Sequence, residues 1–516
     1  MSTPERLPLM IDTSGTALTK DERELLAERR VAGVCLFGHN IVDRFQVADY
    51  VAELRSLAGD DLIVAIDQEG GGVLRLRDVP MPLSAMALGA VDDPEVTERV
   101  AALNGRSLAA VGVNLDFAPI ADVNSNPLNP VIADRSFGAD PERVGTHVAA
   151  SVRGLQGEGV AATLKHFPGH GDTDVDSHLD LPSLGRDFSD VERIDLPPFV
   201  AGIAAGTAAI MTAHIVMRSL DPDMPGTLSR RVLWDLLRKR LGFDGVIVTD
   251  ALDMRAVADR WSPPTSAVMA LAAGADMPLT LGPLAEHRDV LAAIESAVAE
   301  GRLDGAEFEA SVRRVADLAA GFPGALRPDA DAAWARAAED ERLLADAAER
   351  SLVRLGDLPR LQPGDEVILV AASQVRANAA SRIVTRPAEP LVQALQQRGV
   401  KVDWLDSLQS DVMARTAAAV PSATAVLFVS TTRLKLAGAE AEIARAVAAL
   451  ASTVRLPFAH VALWNPYSVD EVRGPALVSF GSHPATVEAV AEALLGAEVR
   501  PWAGALPVSL ELGALT

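Results

Sequence analysis

Short apolar runs recur along the first 280 residues, and each is followed by a longer stretch with helical periodicity. The runs Leu7–Ile11, Gly33–Phe37, Leu62–Ile66, Val113–Phe117, Ala161–Leu164, Ala208–Thr212, Gly245–Thr249 and Ala275–Leu281 read as strands. Between them, Lys20–Arg30, Arg44–Leu57, Pro94–Val111, Pro141–Glu158, Ser189–Ala205, Ser229–Leu241 and Leu284–Glu300 read as amphipathic helices. Eight strands alternating with helices over this span predict an α/β fold, a (β/α)8 barrel of the TIM type. An open doubly wound sheet is the competing architecture.

The pattern changes beyond Gly321. Residues 328–349 are rich in Ala, Arg and Glu without a strand signal, and read as a connecting helix. A second alternating region follows, with strands at Glu366–Val370, Val402–Leu405, Ala425–Val429, His460–Trp464 and Ala476–Phe480. Helices are expected at Pro390–Arg398, Gly438–Leu450 and Ala485–Leu495. The division expected is a catalytic barrel over 1–325, a connector over 326–360 and a smaller α/β sandwich domain over 361–516.

A barrel makes a demand that the polar positions can test: polar residues should gather just after the strands, at the end that carries active sites. They do so at Asp67-Gln-Glu-Gly-Gly71, at Asp122-Val-Asn-Ser-Asn126, at Lys165-His166, at His214 and at Asp250. The densest stretch is Lys165–His178, KHFPGHGDTDVDSH, which leaves a buried-strand signal and enters a Gly-rich loop.

Composition narrows the function. With 49% apolar and 23% charged residues the chain is globular. Lys plus Arg number 47 against 70 Asp plus Glu, a formal net charge of −23, which disfavours nucleic acid and anionic membranes as partners. The single cysteine, Cys35, rules out an internal disulfide and a Cys-built zinc site, and reads as a buried core thiol. Neither a secretion signal nor an apolar run long enough to span a membrane is evident, so a cytoplasmic location is expected. Phosphate-loop and dinucleotide motifs are missing, and no cofactor is expected.

Asp250 follows a buried strand, where an ionised carboxylate is costly unless paired or functional. It suits a nucleophile or a charge stabilising an oxocarbenium-like transition state; capping the next helix is the structural alternative. Asp176-Ser177-His178 sets a carboxylate beside an imidazole, an arrangement that fixes the tautomer and raises the basicity of the free nitrogen. Such a histidine can protonate a leaving oxygen and then deprotonate an incoming one; an Asx turn at Asp176 is the alternative. Lys165, His166 and Arg135 can donate to sugar hydroxyls, and Asp67 and Arg75 flank Gly70-Gly-Gly72, where backbone can approach a ligand closely. A rival reading takes His166, His170, Asp172, Asp176 and His178 as metal ligands of a metal-dependent hydrolase, although they share one loop and show no HExxH spacing.

The motifs DQEGG at 67–71, NLDFAPIADVNSNP at 114–127, NPVIADRSFG at 129–138, KHFPGHGDTDVDSH at 165–178 and GFDGVIVTDALDM at 242–254 together closely resemble glycoside hydrolase family 3, and within it the β-N-acetylglucosaminidase (β-N-acetylhexosaminidase) branch. The second domain resembles the family's more weakly. The resemblance implies a retaining, exo-acting enzyme that removes terminal β-linked GlcNAc through a covalent glycosyl-enzyme. It makes Asp250 the nucleophile, His178 the acid/base and Asp176 its dyad partner, and gives Asp67, Arg75, Arg135, Lys165 and His166 the terminal sugar. Muropeptides of peptidoglycan recycling and chitin fragments both fit as substrates. A histidine acid/base does not repel an anion, so inorganic phosphate stands beside water as an acceptor, giving GlcNAc 1-phosphate. One departure is visible: Gly72 stands where the branch often has Arg.

Overall fold

The computed structural model describes residues 6–173, 180–376, 384–472, 474–501 and 507–510. Eight strands form a closed parallel barrel: β1 Leu7–Ile11, β2 Val31–Leu36, β3 Ile63–Ile66, β4 Leu115–Asp116, β5 Ala161–Phe167, β6 Ala209–Thr212, β7 Val246–Ala251 and β8 Met277–Thr280. Every strand pairs with its sequence neighbours, and β8 returns to β1 with Leu279 opposite Met10 and Thr280 opposite Ile11. That closure excludes the open sheet.

Two apolar layers hold the barrel. Met10, Cys35, Ala65, Phe117, Met211 and Val248 belong to one buried cluster inside it, so the thiol of Cys35 is a core group. Leu9, Val34, Val64, Leu164 and Ile247 belong to another, packed under the surrounding helices. Helix starts follow local chemistry. Asp93 and Asp140 each accept two backbone N–H bonds, and each precedes a proline whose missing N–H costs nothing in the first turn. Thr19 and Glu22 cap each other's backbone at the first helix.

Many element ends shift by a few residues from the sequence expectation, and two changes go further. The single helix expected over Ser189–Ala205 is two, Phe188–Ile194 and Pro197–Ala204, because Pro197 and Pro198 supply no N–H to a continuous ladder. Strand β5 runs past Leu164 to Phe167, so Lys165 and His166 lie within the strand. The Lys165–His166 and Phe167–Pro168 peptides are cis.

A helix, Ala337–Ser351, leads from the barrel to a six-stranded sheet. Its strands are β9 Val353–Leu355, β10 Glu366–Ala371, β11 Lys401–Asp406, β12 Ala425–Ser430, β13 Phe458–Ala462 and β14 Ala476–Val478, in the order β9-β14-β13-β12-β10-β11. All neighbours are parallel except β9 with β14. Separate apolar clusters cover its two faces, giving a helix–sheet–helix sandwich. The domains share one core: Tyr467, Val469, Val478, Phe480 and Val508 join the cluster that surrounds the barrel. Ser84 donates to the Phe480 carbonyl at 2.5 Å, and Asn124 to the Tyr467 hydroxyl at 3.2 Å. Among the described residues no helix is long and apolar enough to cross a membrane.

Candidate active site

The site is built at the carboxyl ends of the barrel strands. Asp67 follows β3, and the chain then turns through Gly70 (φ 108°) and Gly71 (φ 55°). A Cβ on Gly71 would lie 2.6 Å from that of Ser84, so backbone conformation and room both require glycine there. Gln68, fully buried, holds the returning chain: its side-chain oxygen accepts from the N–H groups of Arg75 and Leu76, and its amide donates to the Leu76 carbonyl. Arg75 is thereby brought back to Asp67, with Nη2 3.0 Å from Oδ2.

Lys165, only 2% exposed, reaches this turn from β5. Its Nζ lies 2.7 Å from Asp67 Oδ1 and 2.6 Å from Glu69 Oε1. Arg135, from the turn Ala133–Arg135, closes the set with a two-pronged contact to Glu69, both bonds 2.8 Å. Burial works against the charges of Asp67, Glu69, Arg135 and Lys165, but their pairing outweighs it. Asp67 is held below the usual carboxylate range by Lys165 and Arg75, Glu69 well below it by Arg135 and Lys165, and Lys165 is raised by the two carboxylates. Each Asp67 oxygen is engaged by a cation and still has a lone pair for a ligand hydroxyl.

His166 is fixed by Asp122, which is fully buried. Its Nδ1 lies 2.8 Å from Asp122 Oδ2, and its backbone N–H faces both carboxylate oxygens at 3.2 Å. Asp122 also accepts the backbone N–H of His170 at 2.6 Å. Burial alone would raise Asp122, yet His166, His170 and these N–H bonds hold it below its ordinary value. His170 is pushed down to about 4, first by burial and then by His166, so it is neutral at pH 7.

Asp250 is half-buried and lies inside β7, which runs on to Ala251 instead of ending at Thr249 as expected, and its Oδ1 accepts the N–H of Ala251 at 2.8 Å. His214, after β6, braces that end: Nε2 is 2.9 Å from the Ala251 carbonyl and Nδ1 2.7 Å from the Thr227 hydroxyl. Asp176 and His178 lie outside the described residues. The chain leading to them is anchored at Asp172, whose carboxylate meets Arg186 at 2.8 Å. Of the residues the metal reading grouped, Asp176 and His178 are not described, and among the described residues no three His, Cys, Asp or Glu side chains converge as a metal site.

Residues 7–318 match the family model described as the glycosyl hydrolase family 3 N-terminal domain. The chain belongs to glycosyl hydrolase family 3. Family membership is supported by curated relatives called beta-hexosaminidase. That of Pseudomonas aeruginosa is 39% identical over 290 residues, 56% of this chain and 86% of the relative. That of Stenotrophomonas maltophilia is 40% identical over 282 residues, 53% and 83%. The solved structure of a glycoside hydrolase family 3 beta-N-acetylglucosaminidase from Paenibacillus sp. is 31% identical, covers 98% of this chain and 97% of its own, and superposes with a TM-score of 0.87.

The structure thus brings Asp67, Arg75, Arg135 and Lys165 into one ion network through Glu69, and places His166 on Asp122. Glu69, Asp122, Gln68 and His214 hold or brace these residues, and candidate selection by residue type passed over them. Glu69 and Asp122 both stand in strand-end segments flagged as polar, so position was the signal; the sequence did not say which of several neighbouring carboxylates meets a cation.

Proposed function

We propose that the chain is a retaining, exo-acting β-N-acetylglucosaminidase that releases terminal GlcNAc from muropeptides or chitin fragments. The observation that carries this reading is the position of Asp250: a half-buried carboxylate at the carboxyl end of β7, on the same barrel mouth as the Lys165–Asp67–Arg75 set. The names of the beta-hexosaminidase relatives and of the Paenibacillus structure support the sugar.

In this mechanism Asp67, Arg75, Arg135, Lys165 and His166 hold the terminal sugar. Asp250 attacks the anomeric carbon as His178, protonated and held by Asp176, gives its proton to the leaving oxygen. The sugar is then bonded to Asp250. Neutral His178 takes a proton from water, the oxygen attacks the same carbon, and Asp250 leaves with the β configuration restored.

The test is release of p-nitrophenol from the β-N-acetylglucosaminide and the β-glucoside, by the wild type and Asp250→Asn, with EDTA present. Activity on the first substrate is expected, untouched by the chelator, with a β-anomer as first product. In Asp250→Asn it should fall by about 10³-fold or more, as for loss of a nucleophile. Preference for the glucoside would discard the sugar assignment, and a fully active Asp250→Asn would discard the nucleophile. Running the reaction with and without phosphate decides the acceptor: hydrolysis predicts free GlcNAc in both, and GlcNAc 1-phosphate would establish phosphorolysis.

A further inference from the structure

Gly72 breaks the expected motif, and the structure shows what fills the room. Arg433, from the second domain, lays its guanidinium over the glycine: Cζ, Nε and Nη1 lie 3.0, 3.1 and 3.1 Å from where a Cβ on residue 72 would stand. Its Nε donates to Asp134 Oδ1 at 2.7 Å, a contact between residues 299 positions apart. The Asp134 side chain is only 2% exposed. Asn465 fixes the backbone of Arg433 by donating to its carbonyl at 2.9 Å, and the Trp464 ring lies 5.9 Å from the guanidinium.

Asp134 adjoins Arg135 in the short turn that ends at the Glu69 pair. The contacts therefore run without a break from Arg433 to Asp134, through the turn to Arg135, and on through Glu69, Lys165 and Asp67 to Arg75. Without Arg433, Asp134 is a buried carboxylate without its cation, which is costly. Arg135 is the next cation near it. Any pull of Asp134 on Arg135 competes with Glu69, and Glu69 shares Lys165 with Asp67.

We propose that Arg433 is a positioning residue for sugar binding, a cation lent by the second domain to the barrel turn at the place Gly72 leaves open. The inference rests on the reading of the Asp67–Lys165 set as the sugar holder. Its effect belongs in KM more than in kcat, because it orders groups that hold the sugar in both ground and transition states.

The test is a small variant set assayed on p-nitrophenyl N-acetyl-β-D-glucosaminide, with thermal melts alongside. Arg433→Ala should raise KM about tenfold, the scale of one lost charge-assisted hydrogen bond, with kcat changing far less. Arg433→Lys should recover part of the loss. Gly72→Arg added to Arg433→Ala should bring KM back towards the wild type, since it returns a guanidinium to the same space from the barrel side, and the backbone at residue 72 lies outside the left-handed region. Gly72→Arg alone crowds two guanidinium groups together and should raise KM. An unchanged KM in Arg433→Ala overturns the proposal. So does a joint fall of kcat and melting temperature that Gly72→Arg does not relieve, which would make Arg433 a domain tether only. Should Arg433→Ala not fold, Gly72→Arg alone decides, and an unchanged KM there overturns the proposal. A wild type inactive on this substrate would overturn the functional reading and this inference together, whereas an active wild type with unaffected variants overturns this inference alone.

Discussion

Glu69 is the residue on which the charges at the barrel mouth converge. It is 5% exposed and accepts from Lys165 and from both prongs of Arg135. Removing its charge leaves two buried cations facing each other, so Glu69→Gln should cost about 3 to 5 kcal/mol at pH 7, the range for breaking a buried pair. The pH dependence has a definite sign. The folded-state pKa is depressed, so the stabilisation is complete above the unfolded value near 4 and is lost as pH falls through the lower folded value. Urea unfolding at pH 7 and again near pH 3 measures both: the gap between wild type and variant should be wide at the first and narrower at the second. Equal midpoints at pH 7 would contradict the assigned pairing.

At the scale of elements, the carboxyl end of β5 and the chain after it form one structure organised by Asp122. This single carboxylate holds the His166 ring, the His166 backbone and the His170 backbone. A neutral amide cannot accept all three, because one of its two polar atoms is a donor. Asp122→Asn should therefore loosen the segment between β5 and residue 173 while the barrel remains folded. The expected result is faster cleavage there in limited proteolysis and a KM raised about tenfold, on the scale of one lost charge-assisted bond. Wild-type proteolysis and KM would show that Asp122 is not the organiser. His214 plays the corresponding part for β7, joining the chain after β6 to the carbonyl next to Asp250.

Across the whole molecule, the two α/β units unfold as one if their shared core is as continuous as its contacts indicate. Phe480, Tyr467 and Val508 are buried in the barrel's own cluster, Arg350 meets Asp93 at 2.7 Å, and the Ala139 N–H donates to the Pro507 carbonyl at 3.1 Å. Scanning calorimetry should show a single transition whose calorimetric and van't Hoff enthalpies agree. Two resolved transitions would mean that the domains are energetically separable, and would weaken the case for a site that depends on both.

The sequence by itself determined the elements and their order. Strand and helix patterns are periodic over ten or so residues, and burial on one side or both is written in that period. The eight barrel strands, the five parallel strands of the second sheet and the polar residues at strand ends were legible for this reason. Asp67, Lys165 and Asp250 stood out because each interrupts or follows an apolar run. What escaped was decided through space. Strand β9 pairs antiparallel at the far side of the second sheet, and its three residues are too short for a periodic signal. Strand β5 continues to Phe167 because neighbouring chain accepts it: Ala121 donates to the Lys165 carbonyl and Ala213 to that of Phe167. Only the tertiary structure assigned the partners of Glu69 and Asp122, since a carboxylate's choice of cation depends on distances that local pattern does not carry. Gly72 and Arg433 are the clearest case. The chain shows a missing side chain at one position and an ordinary arginine far along, and only folding puts the second into the space of the first.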